Sequence, residues 1–364
     1  MAEFDVLIVG GGIAGASLGA QLAGKVRTVI IEAESHCGMH ATGRSAAFWL
    51  ESYGGPNVAI LSAASHDFLE RPPDDFSDRG FLRTRGALHL TRDELPELPP
   101  GVSSRLIERE ELERVLPGVR PAWRRALLEP GCADIDVAGL HAAYLGQFRR
   151  RGGEVATGSR LTSATYRHGE WAVELDDSST IHAATLVDAA GAWADQVADA
   201  CGVRPIGITP KRRTMVQLRV GQTGLRDLPL VDDAAGTFYF KGEGDRSIWL
   251  TPHDEIDSAP CDAAPDEIDI ATAIDRFEQA VDWPVEAVER SWAGLRSFAA
   301  DRAPVYGFDP AVPSFFWCVG QGGFGIQTAP AASSLAASLL LREEPEAGLS
   351  NIHTTVYSPA RFRD

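Results

Sequence analysis

The chain of 364 residues is short of positive charge. Lysine occurs only at Lys25, Lys211 and Lys241, and every other cation is an arginine, a bias we attribute to genome composition rather than to mechanism. Acids outnumber bases 51 to 34, for a net charge of −17. Such a surface repels phosphate backbones and anionic headgroups, which argues against nucleic acid and membrane-surface partners. No run of about 18 apolar residues exists, so no transmembrane segment is expected. Cysteine is sparse as well. Cys37, Cys132, Cys201, Cys261 and Cys318 are odd in number, scattered and without a CxxC pair. This excludes a disulfide framework and a cysteine zinc site, and points to reduced thiols and a cytoplasmic setting. The first strand starts so early that no room is expected for a signal peptide. Repeats and low-complexity linkers are absent. What remains is ordinary globular composition, 44% hydrophobic and 23% charged, in a length that suits two domains or one with an insertion.

What the chain does have is glycine in a telling place. Phe4–Val9 is apolar and strand-like, Gly10-Gly11-Gly12-Ile13-Ala14-Gly15 follows, and a second apolar run from Val26 to Ile31 ends in Glu32. Gly10 lets the chain turn sharply out of the strand, Gly12 removes a side chain from the path of a pyrophosphate, and Gly15 lets the helix from Ile13 to Leu22 lie close on the sheet. The helix start presents N–H groups and a positive dipole end to phosphates. Glu32 accepts from ribose hydroxyls and disfavours a 2′-phosphate, which argues against NADP. The dinucleotide contacts expected here are Gly10, Gly12, Ile13, Ala14, Gly15, Glu32 and Ala33.

Further along, helices are expected over 59–69, 108–116, 137–151 and 266–280, with strands at 86–90, 163–166, 171–175, 180–182, 214–220, 237–241 and 247–250. Leu186-Val187-Asp188 leads into Ala189-Ala190-Gly191-Ala192-Trp193, a strand-to-helix turn of small residues where Ala190, Gly191 and Trp193 are further candidate cofactor contacts. The strand Phe315–Val319 enters Gly320-Gln321-Gly322-Gly323-Phe324-Gly325, followed by an alanine-rich helix from Gln327 to Leu341. Strand, glycine loop and helix thus occur near both ends. The fold class expected is α/β: a Rossmann-like dinucleotide domain from 1–80, 134–205 and 297–364, and an inserted, mostly antiparallel α+β domain from 81–133 and 206–296.

These motifs resemble the D-amino acid oxidase superfamily of FAD-dependent oxidoreductases. The resemblance is carried by GGGIAG with Glu32, by His40-Ala41-Thr42-Gly43-Arg44-Ser45-Ala46-Ala47, by Trp292-Ala293-Gly294-Leu295-Arg296, and by Gly320-Gln321-Gly322-Gly323. With Pro210-Lys211-Arg212-Arg213, Phe238-Tyr239 and QGGFGIQT in the same order, the chain is most similar within that superfamily to bacterial D-arginine dehydrogenases. The resemblance implies noncovalent FAD, held also by Thr42, Gly43, Arg44, Ser45, Ala46 and Ala47 and, at the C-terminal loop, by Gly322, Gly323, Phe324, Gly325, Ile326 and Gln327. The stretch around Ser297, where sarcosine oxidases carry a flavin-tethering cysteine, has none.

It also implies an activity: hydride transfer from the Cα of a D-amino acid to flavin N5, giving an imino acid that hydrolyses to a 2-oxo acid and ammonia. Arg213 and Arg296 match the positions that hold the substrate carboxylate, a task suited to the planar guanidinium fork. Arg296 also counts among the cofactor contacts. Tyr239 matches a tyrosine on the same carboxylate, Tyr53 a lid-loop tyrosine near the amine, and Gly323 a carbonyl that accepts from the amine. The helix near Gln327 is expected to aim its positive end at the flavin pyrimidine. Two positions depart from the D-arginine pattern. Ala87 stands where those enzymes carry a substrate-binding glutamate, and Phe48 where they carry a histidine. Both imply an apolar pocket and a preference for neutral or hydrophobic D-amino acids, with Glu51 as a candidate replacement acid. The alternative is an enzyme of this fold acting on a 2-hydroxy acid, glycine or a secondary amine. The electron acceptor, a quinone or another, is left open. His36 and His40 bracket a glycine without a converging acid, so no metal site is expected. Asp134 and Asp136 read as a turn and helix cap rather than paired catalytic acids.

Overall fold

A computed structural model describes residues 3–92, 94–99, 101–350 and 352–362. Phe4–Val9 lies between Thr28–Glu32 and Thr180–Asp188, parallel to both, and Glu154–Thr157 and Phe315–Val319 extend the parallel set. Antiparallel strands Leu161–Arg167 and Glu170–Leu175 lead into Thr180–Asp188, and Val305–Phe308 closes the far edge, giving an eight-stranded sheet. The helices Ile13–Leu22, Val137–Arg150 and Ala329–Leu341 cover one face. Gly15 shows why that packing is close: a Cβ there would stand 1.9 Å from the Gly10 carbonyl oxygen.

A second sheet of ten strands holds the middle of the chain. Its spine is the antiparallel pair Thr209–Val220 and Val285–Phe298. Ser247–Thr251 and Tyr239–Gly242 follow, then Leu230–Asp233, which runs parallel to Ala87–Thr91. One face packs on the helix Glu267–Ala280 through Phe240, Phe277, Trp283 and neighbours.

Two sequence expectations change, and one strand is new. Thr180–His182 and Leu186–Asp188 are one continuous strand. The charged stretch before WAGLRSF, to which the sequence reading assigns no element, is the first half of the 14-residue strand Val285–Phe298, stabilised by its long partner rather than by alternation. The C-terminal helix begins at Ala329, with Pro330 in its first turn; residues 324–328 form a separate turn closed by Thr328 N–H on the Phe324 carbonyl. Asp136 caps the Val137–Arg150 helix by accepting from Gly139 N–H. Asp134 does something else: it holds Arg85 and Lys241, and although burial alone would raise its pKa, those cations keep it below the usual carboxylate range.

A cavity between the two sheets

One cavity runs from the end of Thr28–Glu32 to the face of the second sheet. At its first end Gly10 has φ 104°, and a Cβ on it would strike the Ala189 carbonyl at 2.6 Å, so only glycine makes this turn. A Cβ on Gly191 would meet nothing within 4 Å, leaving that backbone open to a ligand. Glu32 accepts from the N–H groups of Gly11 (2.8 Å) and Glu34 (2.9 Å), which fixes its carboxylate at the cavity wall. Thr42 Oγ1 accepts from Ile13 N–H at 3.0 Å, so the 40–47 loop caps the first helix and closes over its start. Here a sequence-based expectation needs amending: the Ile13 amide is engaged within the protein rather than presented bare.

The other end is chemically different. Arg213 and Arg296 lie on adjacent antiparallel strands, where the register pairs Arg213 with Gly294 and Lys211 with Arg296. Residues two apart on a strand share a face, so both guanidiniums leave the same side of the sheet. Arg213 is buried at 3% exposure. Its Nε donates to the Asp254 carbonyl at 2.7 Å and Nη2 to Glu255 at 3.3 Å, while Nη1 is buried and has no hydrogen-bond partner among the described residues. Arg296 Nη1 donates to the Tyr53 hydroxyl at 2.9 Å, and no carboxylate pairs with Arg296 among the described residues. Burial, and then the neighbouring Arg296, lower the Arg213 pKa; the two guanidiniums nevertheless both stay charged.

The two tyrosines respond in opposite senses. Burial alone would raise the Tyr53 hydroxyl, but Arg296 and Arg213 outweigh it and bring it below its ordinary value. For Tyr239 burial prevails and the hydroxyl is raised. Phe48 lies edge-on to Tyr239 at 5.5 Å and tilted against Tyr53 at 5.6 Å, with Met215 at the Tyr239 hydroxyl. His253, beside Tyr239, is pushed down to about 4 by burial and by Arg213, and its Nδ1 lies 2.6 Å from the Gly236 carbonyl oxygen.

Most residues singled out from sequence line this one cavity: Gly10, Gly12, Ile13, Ala14, Glu32, Ala33, the loop from Thr42 through Phe48 except Gly43, Tyr53, Ala190, Gly191, Trp193, Arg213, Tyr239, Arg296, Gly322, Gly323, Gly325, Ile326 and Gln327. Four lie off it. Gly15 is spent on packing against Gly10. A Cβ on Gly43 would strike the Gly38 carbonyl at 2.6 Å, so that glycine serves the loop itself. Phe324 turns into a cluster with Val58, Phe298 and Tyr53. Ala87 is fully buried one layer deeper, among Phe48, Leu230 and Tyr239. Two others line the cavity but use their side chains elsewhere. Arg44 donates to the Ala263 and Ala293 carbonyls, and Gln327 ties the Tyr53 loop by accepting from Leu50 N–H and donating to the Tyr53 carbonyl. Glu51 lines a different cavity, with Trp49, His66 and Glu129. Sequence reasoning passed over Met215, which strand register places, and His253 and Glu255, which come from the 252–255 connection; no local motif records either. Among the described residues no cluster could hold a metal; His40 Nε2 lies 3.0 Å from Glu34 Oε1 instead.

Comparison with known proteins names this arrangement. The family model "DAO: FAD dependent oxidoreductase" matches residues 5–339. The chain belongs to the DAO family. FAD is accordingly its cofactor, and the cavity suits that group: glycine-walled where a pyrophosphate would press, acidic where a ribose would sit, and large enough in extent to join both sheets. This DAO-family chain is 25% identical over 408 residues to FAD-dependent oxidoreductase domain-containing protein 1 of Bos taurus, covering 93% of this chain and 81% of the relative. Its fold is that of glycine oxidase from Geobacillus kaustophilus (TM-score 0.83, 20% identity, 99% of each chain) and of L-proline dehydrogenase from P. horikoshii (TM-score 0.83, 19% identity, 98% of this chain and 97% of that one). No helix of the described residues is long and apolar enough to cross a membrane.

Proposed function

We propose that this FAD-dependent oxidoreductase oxidises the Cα–N bond of a D-amino acid, with neutral or hydrophobic side chains preferred over D-arginine. The observation that carries the reading is the pair of buried guanidiniums at one end of the cavity. Two like charges in a low-dielectric pocket repel, and Arg213 keeps a buried N–H without a hydrogen-bond partner among the described residues. A substrate carboxylate relieves both conditions at once, through charge-assisted hydrogen bonds that a planar fork makes well. When bound, FAD supplies the acceptor for the hydride that leaves Cα.

The chain's own residues then do the positioning. Arg213, Arg296 and the protonated Tyr239 hydroxyl hold the carboxylate end. The Tyr53 hydroxyl, its proton made more labile by the adjacent cations, and the Gly323 carbonyl face the amine. Oxidation requires the neutral amine, so the rate rises with pH through the pKa of the bound ammonium group. Side-chain preference follows from what faces the rest of the substrate: Phe48, Met215 and Tyr53 are apolar or aromatic. The acid nearest the arginines, Glu255, is already held by Arg302 through two contacts of 2.9 and 3.0 Å. The likeness to D-arginine dehydrogenases in HATGRSAA, PKRR, WAGLRSF and QGGFGIQT supports the D configuration.

An anaerobic panel of D- and L-amino acids, glycine, L-proline and 2-hydroxy acids, scored by loss of the visible flavin absorbance, tests the proposal. Fast bleaching by D-Leu, D-Met or D-Phe supports it. Bleaching by glycine, L-proline or hydroxy acids alone replaces it with the activity those substrates define, and a tenfold higher kcat/KM for D-Arg than for D-Leu removes the side-chain preference.

A further inference from the structure

Residues 258–265 form no helix or strand, yet the segment is held at both roots and at its tip. At one root Ser258 N–H donates to the Pro210 carbonyl at 3.0 Å, and Lys211 pairs with Asp257. At the other root Arg212 pairs with Asp266 and, at 2.6 Å, with Asp269 on the following helix. Two of the three cations in the Lys211-Arg212-Arg213 run are therefore spent on acids that flank this segment, and of the three only Arg213 lines the cavity. Between the roots the segment leaves its own sheet and reaches the other half of the molecule. Ala263 is buried with Ala192 and with Ala293 and Leu295, against Trp193. Arg44, from the 40–47 loop, grips the tip: Nη1 donates to the Ala263 carbonyl at 2.9 Å and to the Ala293 carbonyl at 3.0 Å, and Nη2 pairs with Asp262. Cys261 and Ala263 line the cavity directly, next to Trp193.

We propose that 258–265 is a clasp laid across the FAD cavity and that Arg44 is its latch, so that FAD enters and leaves only when Arg44 releases the tip. The inference rests on this cavity being the FAD seat. The geometry favours a latch over simple packing because the grip is polar and bridges the halves: one guanidinium from the dinucleotide side satisfies carbonyls from two separate segments of the other side. The tip's one residue in a buried apolar cluster is Ala263, a single methyl, so the hydrogen bonds at Arg44 supply a large part of the hold. Asp262 is 70% exposed and Arg44 19%, which leaves the ion pair open to salt.

The test uses purified holoenzyme. FAD release after dilution is followed by the rise of free-flavin fluorescence, in wild type and in Arg44→Ala, Arg44→Lys and Asp262→Ala. Expected are release about tenfold faster in Arg44→Ala, from loss of the forked grip, and about two- to fivefold faster in Asp262→Ala, whose acid is largely solvated. Arg44→Lys should resemble Arg44→Ala, because a point charge cannot satisfy two carbonyls and a carboxylate together. Wild-type release should quicken in about 1 M salt, where the Debye length shrinks to about 3 Å, and Asp262→Ala should lose that salt response. Alkylation of Cys261, read by mass spectrometry, gives a second readout and should speed up in the same variants. Unchanged release and alkylation in Arg44→Ala and Asp262→Ala overturn the clasp. A Gly12→Asp variant distinguishes the underlying reading: full FAD content in it removes the seat from this cavity and the clasp with it, whereas lost FAD there beside unchanged latch variants removes the clasp alone.

Discussion

The two halves of the molecule bury polarity in opposite ways. In the dinucleotide half, buried acids serve the backbone. Asp309 accepts from the N–H groups of Ala311 and Val312 and from Trp317 Nε1, Asp188 accepts from Ala190, and the half-buried Asp195 accepts from Ile206, Gly207 and Ile208. In the substrate half, buried charges answer one another across strands. His89 lies between Glu129 and Asp232, Lys241 and Arg85 share Asp134, and Arg213 meets Glu255. The first half shapes backbone along the cavity that suits FAD; the second balances its buried charges pair by pair and, on the function proposed above, aims Arg213 and Arg296 at a small substrate. A change of shape should therefore be ruinous in the first half, and a change of charge in the second.

The largest effect is expected at Gly15. Valine there would force its Cβ against the Gly10 carbonyl at 1.9 Å and push the first helix off the sheet. Expression of Gly15→Val should yield no soluble flavoprotein, and a yellow, folded Gly15→Val would break the claim that close helix–sheet approach governs this half. Arg213→Ala should fold and keep FAD but lose substrate. A charged hydrogen bond is worth about 1.5–3 kcal/mol, so kcat/KM should fall on the order of ten- to a hundredfold, with flavin content unchanged by absorbance. Loss of flavin together with activity would show that the halves are not separable.

That contrast also explains what the sequence revealed. GGGIAG, Glu32 and the strand–loop–helix at 315–341 were readable because backbone shape demands glycine at fixed local spacing. The substrate half was opaque. Its sheet joins Ala87–Thr91 to Leu230–Asp233, far apart in the chain, and the strand Val285–Phe298 begins with charges that resemble no strand. Arg213 and Arg296 were found by likeness to a family, and what sets them on one face is a register visible only in three dimensions. Ala87, expected at the pocket by likeness alone, is instead buried among Phe48, Leu230 and Tyr239 and does not line the cavity.

A smaller effect should separate the halves by pH. Burial alone would lower His89, but Asp232 and Glu129 outweigh it and push the imidazole up from 6.5 to about 10. The folded protein therefore holds this proton after the unfolded chain has released it. The stabilisation is complete below about pH 6.5 and is lost as pH climbs toward 10. Thermal unfolding should show Tm declining across that window, and His89→Gln, which removes the titrating group, should flatten the slope while lowering Tm at neutral pH. A wild-type Tm that rises from pH 7 to 10 would contradict the charge-pair account.

The smallest effect is expected at Asp188, and it sharpens the contrast most. This side chain is fully buried at the end of its strand, beneath the glycine turn. Burial pushes its pKa well above the usual range, against a single N–H from Ala190. A neutral carboxyl there needs an acceptor for Ala190 and no countercharge, and asparagine offers the same acceptor oxygen in nearly the same volume. Asp188→Asn should leave Tm and FAD content close to wild type, whereas Asp134→Asn should destabilise because it strands Arg85 and Lys241, cations of the other half, without their anion. Calorimetry on the two variants decides the matter: equal losses would mean that the dinucleotide half, too, depends on buried charge.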